Sequence, residues 1–299
     1  MQPEPHPRYI IISPICNEYN TLRRTIDSVR QQTITPLLWI IVDDGSTDGT
    51  WEIIQTATDS VPWIKAKKRP PKGYVGLSHG EPLAAIYDGY NLIRSVEFEY
   101  LAKLDGDVTL DPSYFELLLR ECERDPGLGM VSGSCWELTR WNHRLQRSIN
   151  GSSWPPARFY RRRCFEEISG VPPVLGWDML QVLRATIMGW KVGLLRVPRF
   201  FHGRKMGSRA GILKGKARYG RTSYLLGYSF WYFVIRLLFE LAKYPYVVGS
   251  VAMLYGYVAA LVGRDMPIVN DEERELLRRM QKDRLVGIAT RTRIDRQYP

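Results

Sequence analysis

The sequence predicts an α/β fold: a mixed, mostly parallel sheet flanked by helices, followed by an apolar helical appendage. Three observations predict it. Tyr9-Ile10-Ile11-Ile12-Ser13-Pro14 and Trp39-Ile40-Ile41-Val42-Asp43-Asp44-Gly45-Ser46 are continuous apolar runs that end in polar residues, the pattern of strands buried on both faces of a parallel sheet. Between them, Asn20-Thr21-Leu22 leads into Ile26 and Val29, spaced as on one helix face, which supplies the crossover. A further apolar segment, Tyr100-Leu101-Ala102, runs into Asp105-Gly106-Asp107 and then Val108-Thr109-Leu110.

Taken in order, residues 1–8 form a short proline-rich leader without the apolar stretch of a signal peptide. The polar ends of the strands share one crevice, because open α/β sheets bind ligands beyond their carboxyl ends. Asp44-Gly45 is a turn signal, and Ser46-Thr47-Asp48 suits the cap of a helix containing Trp51, Ile53 and Ile54. Asp105 and Asp107 read in two ways: as a solvated turn, or as two carboxylates that hold a hard divalent cation. From Gly133 to Pro156, Trp136, Trp141 and Trp154 alternate with Arg140, Asn142 and Arg144, a composition that suits stacking on sugar rings or the anchoring of a long loop. A helix begins near Asp178, and His202 closes the short apolar segment after it.

A chain of 299 residues with 44% hydrophobic and 24% charged content builds one large α/β core plus an appendage. Its four cysteines are scattered, which favours reduced thiols over disulfides or zinc. The formal charge of +11 suits nucleic acid or an anionic membrane. No zinc-finger spacing or RNA-recognition signature accompanies it, so nucleic acid is not the expected partner. The basic stretch from Arg199 to Arg221 runs straight into the most apolar part of the chain, which points to the membrane.

That apolar part holds 14 uncharged residues from Thr222 to Ile235 and 18 from Tyr246 to Gly263. The first run is too short to span a bilayer and the second sits at the lower edge of the required length, about 17 to 25 residues. Gly249, Ser250, Ala252, Gly256, Ala259 and Ala260 permit close helix contact, and Tyr224, Tyr228, Trp231, Tyr232, Tyr244 and Tyr246 suit the headgroup level. An interfacial helix followed by a re-entrant or marginally spanning one is expected. Buried helices of a soluble accessory domain, or the interface of a homo-oligomer, are the other reading.

Ser13-Pro14-Ile15-Cys16-Asn17-Glu18, then Val42-Asp43-Asp44-Gly45-Ser46-Thr47-Asp48-Gly49-Thr50, then Leu104-Asp105-Gly106-Asp107 resemble, in this order, the family 2 glycosyltransferases with the GT-A nucleotide-sugar fold. Gly176-Trp177-Asp178-Met179-Leu180 resembles a fourth family element, in which Trp177 stands where members usually carry the first of two acids. The resemblance covers residues 9 to about 222. It implies a catalytic domain over 9–221; beyond it, composition gives an apolar membrane-associated segment over 222–263 and a charged C-terminal helix and tail over 264–299.

The resemblance also implies roles. Pro14, Asn17, Glu18, Asp43 or Asp44, and Asp105 would contact the donor nucleotide, the carboxylate on the base favouring a UDP-, GDP- or dTDP-linked sugar. Asp107 would ligate Mn²⁺ or Mg²⁺ directly, with Asp105 assisting and His202 completing the shell or touching the diphosphate. Arg218 and Arg221 would hold a diphosphate or lipid phosphate. Asp178 would be the general base, and Trp136, Trp141, Trp154 and Trp177 would line the acceptor. The implied activity is inverting, metal-dependent transfer to a saccharide, polyprenyl-diphosphate-linked, at the cytoplasmic face of the cell membrane in surface-polysaccharide assembly. Two alternatives remain open: a polyprenyl-phosphate sugar synthase, and a non-catalytic scaffold with a vestigial donor site.

Overall fold

The computed structural model describes residues 7–71, 81–138, 143–145, 156–202 and 211–289. Along the chain they form β1 (Tyr9–Ile15), α1 (Leu22–Arg30), β2 (Leu38–Asp43), α2 (Thr50–Ser60), β3 (Ile64–Lys68), α3 (Glu81–Leu92), β4 (Tyr100–Leu104), β5 (Val108–Leu110), α4 (Tyr114–Arg124), β6 (Leu128–Leu138), β7 (His143–Leu145), β8 (Ala157–Arg161), α5 (Arg162–Glu167), α6 (Trp177–Ile187), β9 (Lys191–His202), α7 (Ile212–Leu225), α8 (Phe230–Leu241), α9 (Tyr246–Val262) and α10 (Asp271–Ala289). Their strands make one sheet in the order β3-β2-β1-β4-β8-β6-β9-β5, with β7 beside β6.

β1, β2 and β4 are buried almost throughout, as their unbroken apolar runs require. Successive side chains alternate faces, so Ile11, Trp39 and Ile41 pack with Leu22, Ile53 and Phe115 of α1, α2 and α4. Ile10, Ile12, Ile40 and Val42 pack on the other face with Ile86 and Leu183 of α3 and α6. The sheet is parallel from β3 to β4 and mixed beyond it. The expected parallel predominance holds only on the first side. β6, β7 and β8 follow one another without a described crossover helix, so they pair antiparallel.

Three features of the C-terminal part were not evident beforehand. α7 starts at Ile212, so Lys214, Lys216, Arg218 and Arg221 lie on one helix with the beginning of the first apolar run, and that helix ends before Gly227 with its left-handed φ of 65°. α10 packs on α6, where Arg184 Nε pairs with the buried Glu273 at 3.1 Å and Leu277 enters the core. Among the described residues, no helix is long and apolar enough to cross a membrane.

Candidate functional site

The first two strands end side by side, with Pro14 opposite Val42 and Ile15 opposite Asp43. Their loops are tied together by side chains of the motif residues. Asn17, at a φ of 53°, donates its N–H to Ser46 Oγ at 2.9 Å, and its Oδ1 accepts from Thr47 N–H at 2.9 Å. The buried Glu18 donates its N–H to Thr50 Oγ1 at 2.8 Å, and Asp48 accepts from Tyr19 N–H and Thr50 N–H, each at 3.1 Å. Burial pushes the Asp48 carboxyl up, but these hydrogen bonds outweigh it and hold the group below the ordinary carboxylate range. Asp48 therefore joins the loops as well as opening α2, whose cap residue is Gly49.

The two neighbouring carboxylates at the end of β2 have different surroundings. Asp44 pairs with Arg69, whose Nε also reaches Asp88 at 2.9 Å. Asp43 is fully buried; its Oδ1 accepts from Ser46 N–H at 3.1 Å, and its Oδ2 has no hydrogen-bond partner among the described residues. A buried acceptor in that condition costs free energy unless a ligand donor meets it.

Asp105-Gly106-Asp107 turns from β4 into β5 directly beneath the first loop. A Cβ on Gly106 would lie 2.5 Å from Ile15 Cδ1 and 3.1 Å from Glu18 Cγ, so only glycine lets the turn approach this closely. Thr25 Oγ1 fixes the turn by donating to Gly106 O at 2.9 Å. Asp105 pairs with Lys103, two residues earlier on the same face of β4. The antiparallel β5–β9 pairing puts Val108 opposite His202, and Asp107 Oδ1 lies 3.3 Å from His202 Nε2. Both side chains are about nine-tenths buried.

A carboxylate oxygen and an imidazole nitrogen at that spacing suit adjacent places around one small cation with bonds of about 2.0 to 2.2 Å. Among the described residues no cluster of three or more His, Cys, Asp or Glu accompanies them. The donor set therefore fits a cation that takes its remaining oxygens from a bound substrate or water.

At the start of α6, Gly176 stands in a left-handed conformation (φ 87°). The Trp177 ring receives Arg158, its guanidinium carbon 4.6 Å from the ring centre, and Lys103 Nζ at 5.7 Å. Arg158 is buried and reaches Gln181 on the next turn of α6. Burial raises the Asp178 carboxyl above its ordinary value, and the positive charges of Arg158 and Lys103 oppose the shift. Arg218 on α7 lies in the field of Asp178, and burial lowers its guanidinium. Arg221 pairs with Asp265 at 2.7 Å, which ties α7 to the segment after α9. Trp136 stacks with Arg199 at 5.0 Å and donates Nε1–H to Ser134 Oγ at 3.1 Å. Trp141 and Trp154 lie outside the described residues.

Sequence reasoning missed Arg69, Lys103, Arg158 and Gln181. Lys103 had a signal, since it precedes Asp105 by one strand period. The partners of the other three come from distant segments.

Residues 10–172 match the profile described as Glycosyl transferase family 2. The chain is 30% identical over 151 residues to chondroitin synthase of Pasteurella multocida (strain Pm70), covering 50% of this chain and 14% of that protein. It is 29% identical over 119 residues to poly-beta-1,6-N-acetyl-D-glucosamine synthase of Staphylococcus epidermidis, covering 40% and 26%. The chain thus spans a small part of the relatives it matches. In fold it is similar to the mannosyltransferase PcManGT from Pyrobaculum calidifontis, solved in complex with GDP-Man and Mn²⁺ (TM-score 0.54, 15% identity, 97% and 89% of the two chains). It is also similar to S. aureus TarS 1–349 in complex with UDP-GlcNAc (TM-score 0.53, 12% identity, 95% and 82%).

Proposed function

The chain belongs to glycosyl transferase family 2, and on that premise we propose that it is an inverting, metal-dependent glycosyltransferase. It transfers a sugar from a nucleotide donor to a saccharide, polyprenyl-diphosphate-linked, at the cytoplasmic face of the cell membrane in surface-polysaccharide assembly. The observation that carries the reading is the Asp107–His202 pair at 3.3 Å, held on the turn that Gly106 packs beneath the first donor loop.

Asp107 and His202 would hold Mn²⁺ or Mg²⁺, Mn²⁺ being the better match to a mixed oxygen and nitrogen set. When bound, the cation supplies Lewis-acid neutralisation of the departing diphosphate. Asp43 would accept an N–H of the base through Oδ2, which favours uracil, thymine or guanine, while Arg69 keeps Asp44 engaged. Asp105, held by Lys103, would meet the ribose from the same turn.

Asp178 takes the proton of the attacking acceptor hydroxyl as the acceptor oxygen bonds to the anomeric carbon. The bond from that carbon to the diphosphate oxygen breaks, and its electron pair leaves with the nucleotide. One displacement inverts the centre. The raised Asp178 carboxyl is a better proton acceptor than an ordinary one. Trp177, packed over the cross-strand pair Arg158 and Lys103, would offer its remaining aromatic surface to the acceptor sugar.

The test is thermal stabilisation of the protein by UDP, GDP, dTDP and CMP, each with and without Mn²⁺, beside Asp107→Ala. Mn²⁺-dependent stabilisation by one nucleotide, absent in the variant, supports the reading. No shift with any nucleotide refutes it and favours the scaffold alternative.

A further inference from the structure

α9 is built inside out. Its small or polar side faces the protein: Gly249, Ser250, Met253, Gly256 and Ala260 are buried. A Cβ on Gly256 would lie 1.8 Å from Ala217 O, and one on Gly220 would lie 1.8 Å from Met253 O, so α7 and α9 touch backbone to backbone. Its large side chains face outward: Val247, Val251, Leu254, Val258, Leu261 and Val262 are between 43% and 75% exposed. A surface helix in water carries its charges on the outer face, yet α9 has no charged residue at all. Helices that pack through small residues and turn branched apolar ones outward are those solvated by lipid.

The apolar face continues onto α8 through Phe230, Trp231, Leu238 and Phe239, all exposed. Aromatic and basic groups rim it. Trp231 and Tyr244 are about 70% exposed; Lys214 at the start of α7 and Arg264 just after α9 are exposed, and Lys243 between α8 and α9 is half-buried. From Ile212 to Arg264 the one carboxylate is Glu240, which is buried and paired with Lys216 and Lys243. This charge balance is complementary to lipid phosphate and opposes a second copy of the chain, which would bring like rims together.

We propose that the outer face of α8 and α9 docks in the plane of an anionic bilayer, without crossing it. At 17 residues, α9 lies flat rather than spanning. α7 then connects the bilayer to the site, because Gly220 lies against α9 while Arg218 on the same helix lies in the field of Asp178. The inference deepens the membrane part of the function proposed above and does not depend on its donor site.

The test is flotation of the full chain with vesicles of pure phosphatidylcholine or of phosphatidylcholine with about a third phosphatidylglycerol, at low and high salt, for wild type, Val251→Glu and Leu254→Glu. These positions are exposed, so the variants fold; nucleotide-induced stabilisation is measured on the same samples and stays unchanged. The expected result is binding to anionic vesicles that weakens with salt and falls about tenfold or more in each variant, the loss expected when one buried apolar side chain leaves the lipid. Unaltered binding of both variants overturns the proposal. So does a wild-type protein that ignores vesicles but is a dimer, made monomeric by either variant, since the face then belongs to a second copy. Loss of nucleotide stabilisation in wild type with vesicle binding intact counts against the donor site alone.

Discussion

Gly106→Ala tests how the Asp105-Gly106-Asp107 turn is seated against the loop after β1. The new Cβ would stand 2.5 Å from Ile15 Cδ1, where carbon contacts ordinarily begin at about 3.5 Å, so something must move by roughly 1 Å. The turn is pinned by Thr25 Oγ1 at 2.9 Å, Ile15 is 1% exposed, and Glu18 Cγ closes the other side at 3.1 Å. Overpacking of this kind costs about 1 to 3 kcal/mol. Ile15→Val deletes the very Cδ1 atom in conflict, at its own cost of about 0.5 to 1.5 kcal/mol. The double variant is therefore expected to lose less than the two single losses together, with a coupling of about 1 kcal/mol, read by denaturant titration of all four proteins. Nucleotide stabilisation with Mn²⁺ should weaken in Gly106→Ala and return in part in the double variant. Losses that add to within about 0.3 to 0.5 kcal/mol would refute the packing argument.

For Asp178, burial lifts the carboxyl above 3.8, so its proton-accepting form disappears as pH falls through that raised value. The acid limb of kcat/KM should lie above 3.8, and Asp178→Asn should lower kcat about a hundredfold to ten-thousandfold and abolish the limb. The sign for stability is opposite. The folded state binds this proton more tightly, so the contribution is complete below the ordinary value and is lost as pH rises through the raised one; Asp178→Asn should flatten that part of the denaturation profile. His202→Ala should abolish the Mn²⁺ dependence of nucleotide stabilisation as fully as Asp107→Ala does, and a variant that keeps it would separate His202 from the cation. Asp43→Ala should abolish nucleotide stabilisation, whereas Asp44→Asn should mainly lower stability by weakening the contact to Arg69, which thermal unfolding without ligand will resolve.

β1, β2 and β4 were legible because they are buried on both faces and read as unbroken apolar runs, whereas β3, with Lys65, Lys67 and Lys68, was not. α1 and α2 were legible from spacing and turn residues. β9 was read only near its end, because most of its residues from Lys191 to Arg199 are exposed or half-buried and carry no apolar run. Its pairing with β6 and β5 joins segments that the sequence separates by tens of residues. Of the site, the motif residues were readable as a set, but the different surroundings of Asp43 and Asp44 were not. They depend on Arg69, just after β3, which pairs with Asp44 and was not read as a site residue. Trp177 likewise looked like the loss of an acid; only the fold brings Arg158 and Lys103 to its ring. The start of α7 was hidden by its basic residues, which broke the apolar run where the helix continues.

Those basic residues now separate by direction. Arg218 loses solvation and feels the charge of Asp178, Arg221 is held by Asp265, and Lys216 pairs with Glu240 of α8. The basic residues of α7 are thus not one solvated patch. Among them Lys214, at the start of the helix, is exposed. The glycine seam between α7 and α9 has the same logic: backbone contact leaves no room for side chains to rearrange, so a shift of α9 must be carried by α7 as a body. If the outer face of α8 and α9 docks on a bilayer as proposed, the seam would fix the height of Arg218 and of the site above the lipid, and Gly256→Leu, which forces the two backbones apart, should weaken vesicle binding and nucleotide stabilisation together.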